Sequence, residues 1–299
     1  MVGVITITQA LGWAGTTTVA VVQSLTAYLA VPIVLVVLLA LWRWRLLLVT
    51  VAAAVVFGIA ILGTPLAFPD PPRAAADDAV GLRVASFNLW YENTSISAVA
   101  QELIDLDPDV IVFSEYTPEH QTALRASPLA DHYRYRVDRQ GFGGAGLAVW
   151  SRAPVRVATR LDTFHSSLDL EVAGPDGDIR VVAMHMPTPV IDFGAWRHDL
   201  GIAEDIGRGA TEPTLLIGDL NATYWHPDFR RVLDAGFVDA HSAHGAGFST
   251  SWPSNWILPP FVRLDHALTA GGLVSTDTVE VDIPGSDHRG LIVTVAPAR

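Results

Sequence analysis

The chain has 299 residues, half of them hydrophobic, no cysteine and a formal net charge of −12. Thiolate ligation of a metal is therefore excluded, and the acidic balance disfavours a protein that tracks a long nucleic-acid backbone, which normally shows a basic stripe. The charge is unevenly placed: residues 1–68 contain no acid and only Arg43 and Arg45, whereas residues 69–299 hold all 31 acids against 17 arginines, a net charge of −14.

This division predicts two bodies with different solvents. Residues 23–42 and 46–68 each supply the roughly 20 apolar residues needed to cross a hydrocarbon core. Between them Arg43 and Arg45 form a very short turn, flanked by Trp42 and Trp44. By the positive-inside rule that turn is cytoplasmic, so the chain is expected to be a multi-pass plasma-membrane protein whose following domain lies outside the cytoplasm. Residues 2–22 are less apolar, because Gln9 and the run Thr16 to Thr18 interrupt them, and whether they form a third span is open. No positive region precedes them, which argues against a cleaved signal peptide. Buried helices of a soluble core are the weaker explanation, since charge-free stretches of this length are rare there. The expected organisation is a membrane anchor at 1–68, a Pro- and Asp-rich linker at 69–81 and one catalytic domain at 82–299.

Within that domain, strand-like and helix-like patterns alternate. RVASFNL, DVIVFSE, GLAVWS, RVVAMHM, TLLIGDL, LDHALT and LIVTVA read as buried strands. Ile96, Val99, Ala100, Leu103 and Ile104 recur at helical spacing up to Asp107-Pro108, and Thr117-Pro118 is a helix start with a capping oxygen and an N1 proline. Further helices are predicted from about Phe193 and over PDFRRVLDAG, stopped by Gly236, with hairpin-like turns at 141–146 and 174–177. The fold class is α/β, a two-sheet β-sandwich flanked by helices and preceded by transmembrane helices.

Several strands deliver a polar residue only at their last positions: Asn88, Glu115, His185, Asp219 and Asn221, joined by Ser286-Asp287-His288 near the end. A strand end holds such a side chain rigidly at the sheet edge, where open α/β sheets bind ligands. Asn88, Glu115, Asp219, Asn221 and Asp287 are hard oxygen donors, which favours Mg²⁺, with Mn²⁺ as the alternative. His185, His266 and His288 match no compact zinc spacing.

FNLW with Asn88, VFSE with Glu115, MHMP with His185, GDLNA with Asp219 and Asn221, RLDH with Asp265, and SDH with Asp287 and His288 together resemble, in order, the motifs of the endonuclease/exonuclease/phosphatase superfamily. That superfamily includes DNase I-like nucleases, abasic-site endonucleases, inositol polyphosphate phosphatases and neutral sphingomyelinases. The resemblance covers about residues 82–296, and the helices ahead of it look like those of membrane-anchored bacterial members. It implies a DNase I-like fold and a metal-dependent phosphoesterase. Glu115 with Asn88 and Asp287 would hold the metal; Asp219 would orient and help deprotonate water, and Asn221 would steady the phosphate or that water. His288, fixed by Asp265, and His185 would donate to phosphate oxygens. Two departures stand out: Ser114 where the family usually has Gln, and Thr250-Ser251-Trp252-Pro253 with one residue more than the family's Thr-Trp-Pro segment. Trp252 is equally open as a substrate contact or as packing.

Other polar residues read differently. His266 alternates to the opposite face of its strand from Asp265 and is expected to be structural. Arg263 is expected in an ion pair, and His198, Asp199 and His226 on the surface. The densest basic cluster, Arg134, Arg136 and Arg139, is small. The expected substrate is thus a phosphodiester, either a short nucleic acid or a lipid headgroup, with PSNWILPPF at 253–261 as a loop able to dip into a bilayer. The alternative is a catalytically inactive, membrane-tethered module that binds phosphate ligands. A transporter fits poorly, because the apolar spans offer no charged path.

Overall fold

The computed structural model describes residues 2–13, 15–28, 46–68 and 74–299. In chain order the part from residue 82 onward contains β1 (Leu82–Asn88), α4 (Ile96–Leu106), β2 (Val110–Ser114), α5 (Pro118–Arg125), α6 (Leu129–His132), β3 (Tyr135–Arg139), β4 (Leu147–Ser151), β5 (Val155–Arg160), β6 (Leu168–Gly174) and β7 (Gly177–His185). It continues through α7 (Phe193–Gly209), β8 (Thr214–Asp219), α8 (Pro227–Asp234), β9 (Val238–Asp239), α9 (Ala240–Ala243), β10 (Asp265–Ala270), β11 (Leu273–Asp282) and β12 (Arg289–Pro297).

The strands form two six-stranded sheets, ordered β11-β12-β1-β2-β4-β3 and β5-β6-β7-β8-β10-β9. Alternate residues of a strand face opposite sides of its sheet, and the sequence uses both sides. Val84, Val110, Val112, Val149, Val181, Ala183, Leu215, Ile217 and Ala267 point inward and fill the space between the sheets. The intervening set on the first sheet, including Phe87, Ile111, Phe113 and Trp150, packs outward against α4, α5 and α6. On the second sheet, Val182, Met184, Leu216 and Leu268 pack against α7 and α8. The strands read as near-continuous apolar runs because both faces are buried. The expected sandwich flanked by helices is therefore what the chain forms.

The additional strands have mixed polarity. β3 (YRVDR) and β5 (VRVATR) lie at the edges of their sheets, where one side of the backbone lacks a partner, so their sequences need no apolar run. The glycine turns at 141–146 and 174–177 do join antiparallel pairs, β3 to β4 and β6 to β7.

The N-terminal segment folds against this domain rather than standing apart from it. Residues 2–24 break into α1 (Val2–Ala10) and α2 (Thr17–Ser24), separated by Gly12 and Gly15 at φ of 67° and 75°. Neither helix approaches the roughly 20 residues of a span. Gln9 donates to Thr26 Oγ1 at 2.6 Å and Gln23 to Thr8 Oγ1 at 3.2 Å, so the buried glutamines of this hairpin are matched by threonine hydroxyls. Ala20 packs into the cluster under α7 and α8. α3 (Leu46–Ala67) has no charged residue and lays Ile59 and Leu66 on Trp225. Among the described residues no helix is long and apolar enough to cross a membrane. Most of the expected first span, residues 29–42, the turn with Arg43 and Arg45, and linker residues 69–73 lie outside the described residues. The rest of the linker is tied down: Ala75 bridges Ala298, and Val80 N–H donates to Asp176 at 2.6 Å.

Two histidines mark this packing. His226, expected on the surface, is instead buried, its Nε2 2.9 Å from the Ala20 carbonyl and its ring edge-on to Trp196. The reason is that α2 covers it. His266 lies under the Phe229 ring on the outer face, Nε2 2.9 Å from the Ala222 carbonyl, as its alternation requires. Burial pushes both imidazoles down to about 4. A group whose folded pKa lies below its unfolded value of about 6.5 takes up protons on unfolding between those two values, so stability falls as pH drops from about 6.5 toward 4. The thermal midpoint of the full chain should decline over that window. In His266→Gln, which removes one such titration, the decline should be shallower although the midpoint at pH 8 is lower.

Candidate active site

Strand register assembles the site. β1 and β2 run parallel with Asn88 beside Ser114, β7 and β8 run parallel with His185 beside Asp219, and β10 pairs antiparallel so that Asp265 is also beside Asp219. Asn88 continues the inward-facing row of Val84, His185 that of Ala183, Asp219 that of Ile217, and Asp265 that of Ala267. The apolar core thus gives way to polar side chains at one end of the sandwich, with both sheets contributing. Left-handed residues end three of these runs: Trp90, Glu115 and Asn221 have φ of 57°, 55° and 46°. Such backbone is disfavoured for residues with a Cβ and concentrates at functional sites.

At the centre is Asp219, buried. Its Oδ1 accepts from Asn221 N–H at 2.9 Å, and its Oδ2 accepts from Asn88 Nδ2 at 3.0 Å. His185 Nε2 and His288 Nε2 each lie 3.7 Å from Oδ2. Behind His288, Nδ1 sits 2.8 Å from Asp265 Oδ2. Both ring nitrogens of His288 therefore face carboxylate oxygens, an arrangement that favours a proton on each. Burial opposes that charge, but Asp265 and Asp219 outweigh it and lift the imidazole to about 10. Burial is also the main reason that Asp219 is pushed up, to about 6, with His288 acting against it.

Glu115 occupies the neighbouring position. Its Oε1 accepts from Asn88 Nδ2 at 3.2 Å and its Oε2 from Tyr91 N–H at 2.9 Å. One amide of Asn88 thus bridges Glu115 and Asp219, while its Oδ1 accepts from Trp90 N–H at 3.0 Å. Asp287 is held by Trp252 Nε1 at 3.0 Å, and its Oδ1 is buried without a protein partner. Ser114 is buried with no hydrogen bond from its hydroxyl, so it makes no contact that replaces a glutamine amide.

Glu115, His185, Asp219, Asn221, Asp287 and His288 all line one cleft of about 460 Å³. Every sequence-predicted site residue is thus in the cleft wall or one hydrogen bond behind it. The tightest group of ligand-type atoms among the described residues, however, is Asp219, Asp265 and His288, within 4.8 Å of one another. In this trio His288 Nδ1 is hydrogen-bonded to Asp265 and its Nε2 stands 3.7 Å from Asp219, so the imidazole lies between two carboxylates. Glu115 and Asp287 fit a hard cation better: both are partly exposed carboxylates at the cleft, one carrying an oxygen with no protein donor.

Two cleft features were not foreseen. His165 stacks on His185 at 4.7 Å between ring centroids, and burial, then the neighbouring His185, pushes it down to about 4. It lies in a loop before β6 with no motif around it, so the sequence carried no signal. Trp252 lines the cleft and donates to Asp287, a bond that its two expected roles, substrate contact or packing, did not include. Asp199, expected on the surface, is buried and accepts from Phe164 N–H at 3.2 Å. It braces the loop that carries His165. Arg263 pairs with Asp239 in the interior, as expected.

This fold and site belong to a recognisable class. The model of the Endonuclease/Exonuclease/phosphatase family matches residues 85–288, and the chain belongs to that family. Among solved structures, D. rerio TDP2 in complex with a single-strand DNA product is similar at 18% identity and a TM-score of 0.60, over 72% of this chain and 98% of that one. An AP endonuclease from Archaeoglobus fulgidus is similar at 19% identity and 0.53, over 71% and 98%. The Neisseria 3′ phosphatase NExo bound to a product DNA hairpin is similar at 16% and 0.54, over 71% and 98%. At these identities the likeness establishes the shared fold. A sequence comparison with curated proteins finds no match.

Because Asn88 links the sheets through Asp219 and also restrains Glu115, Asn88→Leu should cost about 1–3 kcal/mol of stability by leaving a buried carboxylate short of a donor. Urea unfolding at pH 7.5 measures this; an unchanged midpoint would mean that the bridge contributes nothing.

Proposed function

We propose that the protein is a membrane-anchored, Mg²⁺-dependent phosphodiester hydrolase whose catalytic domain faces away from the cytoplasm. The observation that carries the hydrolase reading is the junction at Asp219, where a buried carboxylate meets two imidazoles one amide away from Glu115.

Glu115 and Asp287 would hold the cation, with Asn88 fixing Glu115 and Trp252 fixing Asp287. Mn²⁺ satisfies the same oxygen donors. When bound, the metal supplies Lewis-acid neutralisation of the phosphate charge. The side chains supply the rest. Asp219, bordered by donors, is the acceptor for the proton of the attacking water. Asn221 is fixed by its Nδ2 donating to the Met186 carbonyl at 2.8 Å, which leaves its backbone N–H to hold Asp219. His288, with Asp265 behind it, and His185 present N–H groups to the non-bridging oxygens, where charge builds in the transition state.

The anchoring part rests on the sequence of 23–68 and on the surface of the N-terminal helices. Ile7, Leu11, Trp13, Val51, Phe57 and Ile61 are each more than half exposed, apolar side chains that a bilayer would cover. Orientation follows from Arg43 and Arg45.

Purified full-length protein with Mg²⁺ is expected to hydrolyse at least one member of a panel spanning bis(4-nitrophenyl) phosphate, single-stranded DNA, RNA, sphingomyelin and inositol phosphates. Asp265→Asn should lower kcat by about 10²-fold or more while the protein stays folded, since it removes the charge that orients His288. Glu115→Ala should weaken Mn²⁺ binding measured by calorimetry. A folded protein that cleaves nothing in the panel, or one whose activity ignores Asp265→Asn, refutes the hydrolase reading.

A further inference from the structure

The mouth of the cleft carries an apolar rim that the chemistry above does not use. The β7–α7 connection exposes Val190 and Ile191, 68% and 67% accessible, and both line the cleft. The loop before Phe261 exposes Trp256, Ile257 and Leu258 consecutively, with Ile257 at 104%. Neither segment, 186–191 or 253–261, contains a charged residue. A nucleic-acid groove places Arg or Lys beside its catalytic centre, because phosphate contacts dominate affinity there. This rim offers side chains that gain from leaving water and a Trp suited to the headgroup level.

The rim is continuous with the N-terminal segment. Val21 and Ser24 of α2 form part of the cleft wall, and the Tyr28 hydroxyl donates to the Phe261 carbonyl at 2.6 Å. Beyond Tyr28 the chain runs uncharged to Trp42. The residues that enter the apolar stretch therefore start at the rim loop itself.

From this continuity we infer that the Trp256-Ile257-Leu258 and Val190-Ile191 loops rest in the outer leaflet of the bilayer, and that the cleft takes a phosphodiester carried on a membrane lipid. The inference rests on the hydrolase reading for its substrate but not for its surface. The lipid's phosphate reaches His185 and His288, and its apolar part lies along Met186, Val190, Ile191 and Val262. Water adds to phosphorus, one P–O bond breaks, and the water proton ends on the departing alcohol, leaving a phosphomonoester.

The absence of cysteine makes the test clean. Full-length Ile257→Cys, labelled with an environment-sensitive fluorophore, is reconstituted in vesicles of phosphatidylethanolamine and phosphatidylglycerol containing spin-labelled quencher lipids. Its emission should shift to the blue and be quenched, whereas label at Asp205→Cys, on exposed α7, should stay unquenched. Equal exposure at both positions overturns the rim. In parallel, the double variant Ile257→Asp with Leu258→Asp should lose about 10-fold or more of its hydrolysis of vesicle phospholipid by forfeiting two buried apolar side chains, with turnover of bis(4-nitrophenyl) phosphate unchanged. Unchanged lipid turnover overturns the proposal. If the unaltered chain cleaves another member of the panel but no vesicle phospholipid, the lipid-substrate arm fails while the hydrolase reading stands; if it cleaves nothing in the panel, both fail, and the quenching experiment still decides whether the rim enters the bilayer.

Discussion

A single buried carboxylate ties this structure together. Asp219 sits at the end of an inward-facing apolar row of one sheet and receives its amide hydrogen bond from Asn88, which ends the corresponding row of the other. An unpaired charge at that depth is prohibitive, so the fold must bring donors to it. Asn88 and Asn221 are those donors, with the His185 and His288 rings 3.7 Å away as charge partners, and the four come from separate points along the chain. The same requirement that stabilises the buried charge therefore aligns the two sheets and creates a polar cleft between them.

Much of this was legible in the sequence because the strands that carry the site are buried on both faces and end abruptly in polar residues. Asn88, His185 and Asp219 are visible for that reason. The alternation rule correctly separated Asp265, facing the cleft, from His266, facing α8. The illegible parts have physical causes as well. β3 and β5 are edge strands whose exposed positions are polar, so their periodicity is broken. His165 reaches the cleft from a loop, and its stacking on His185 depends on a tertiary approach that no local pattern encodes. His226 appeared free because its cover, Ala20, lies more than two hundred residues earlier.

The N-terminal region is the place where hydropathy and packing give complementary information. Composition separates residues 1–68 from the acidic domain, yet α2 and α3 contribute side chains to the same buried clusters as α7, α8 and Trp225. Gly12 and Gly15 break residues 2–24 into two short helices, and Gln9 and Gln23 bond to Thr26 and Thr8 across the hairpin. The cleft takes part of its wall from α2, through Val21 and Ser24.

In the proposed function the site divides its charges between two tasks: Glu115 and Asp287 would hold a hard cation, and Asp219, His288 and Asp265 would handle protons. Crystals of the full-length protein soaked in Mn²⁺ test that division directly, through the position of the anomalous peak. The account predicts density between the carboxylates of Glu115 and Asp287, with the His288 ring still bonded to Asp265. A peak lodged between Asp219 and Asp265, displacing His288, would contradict it.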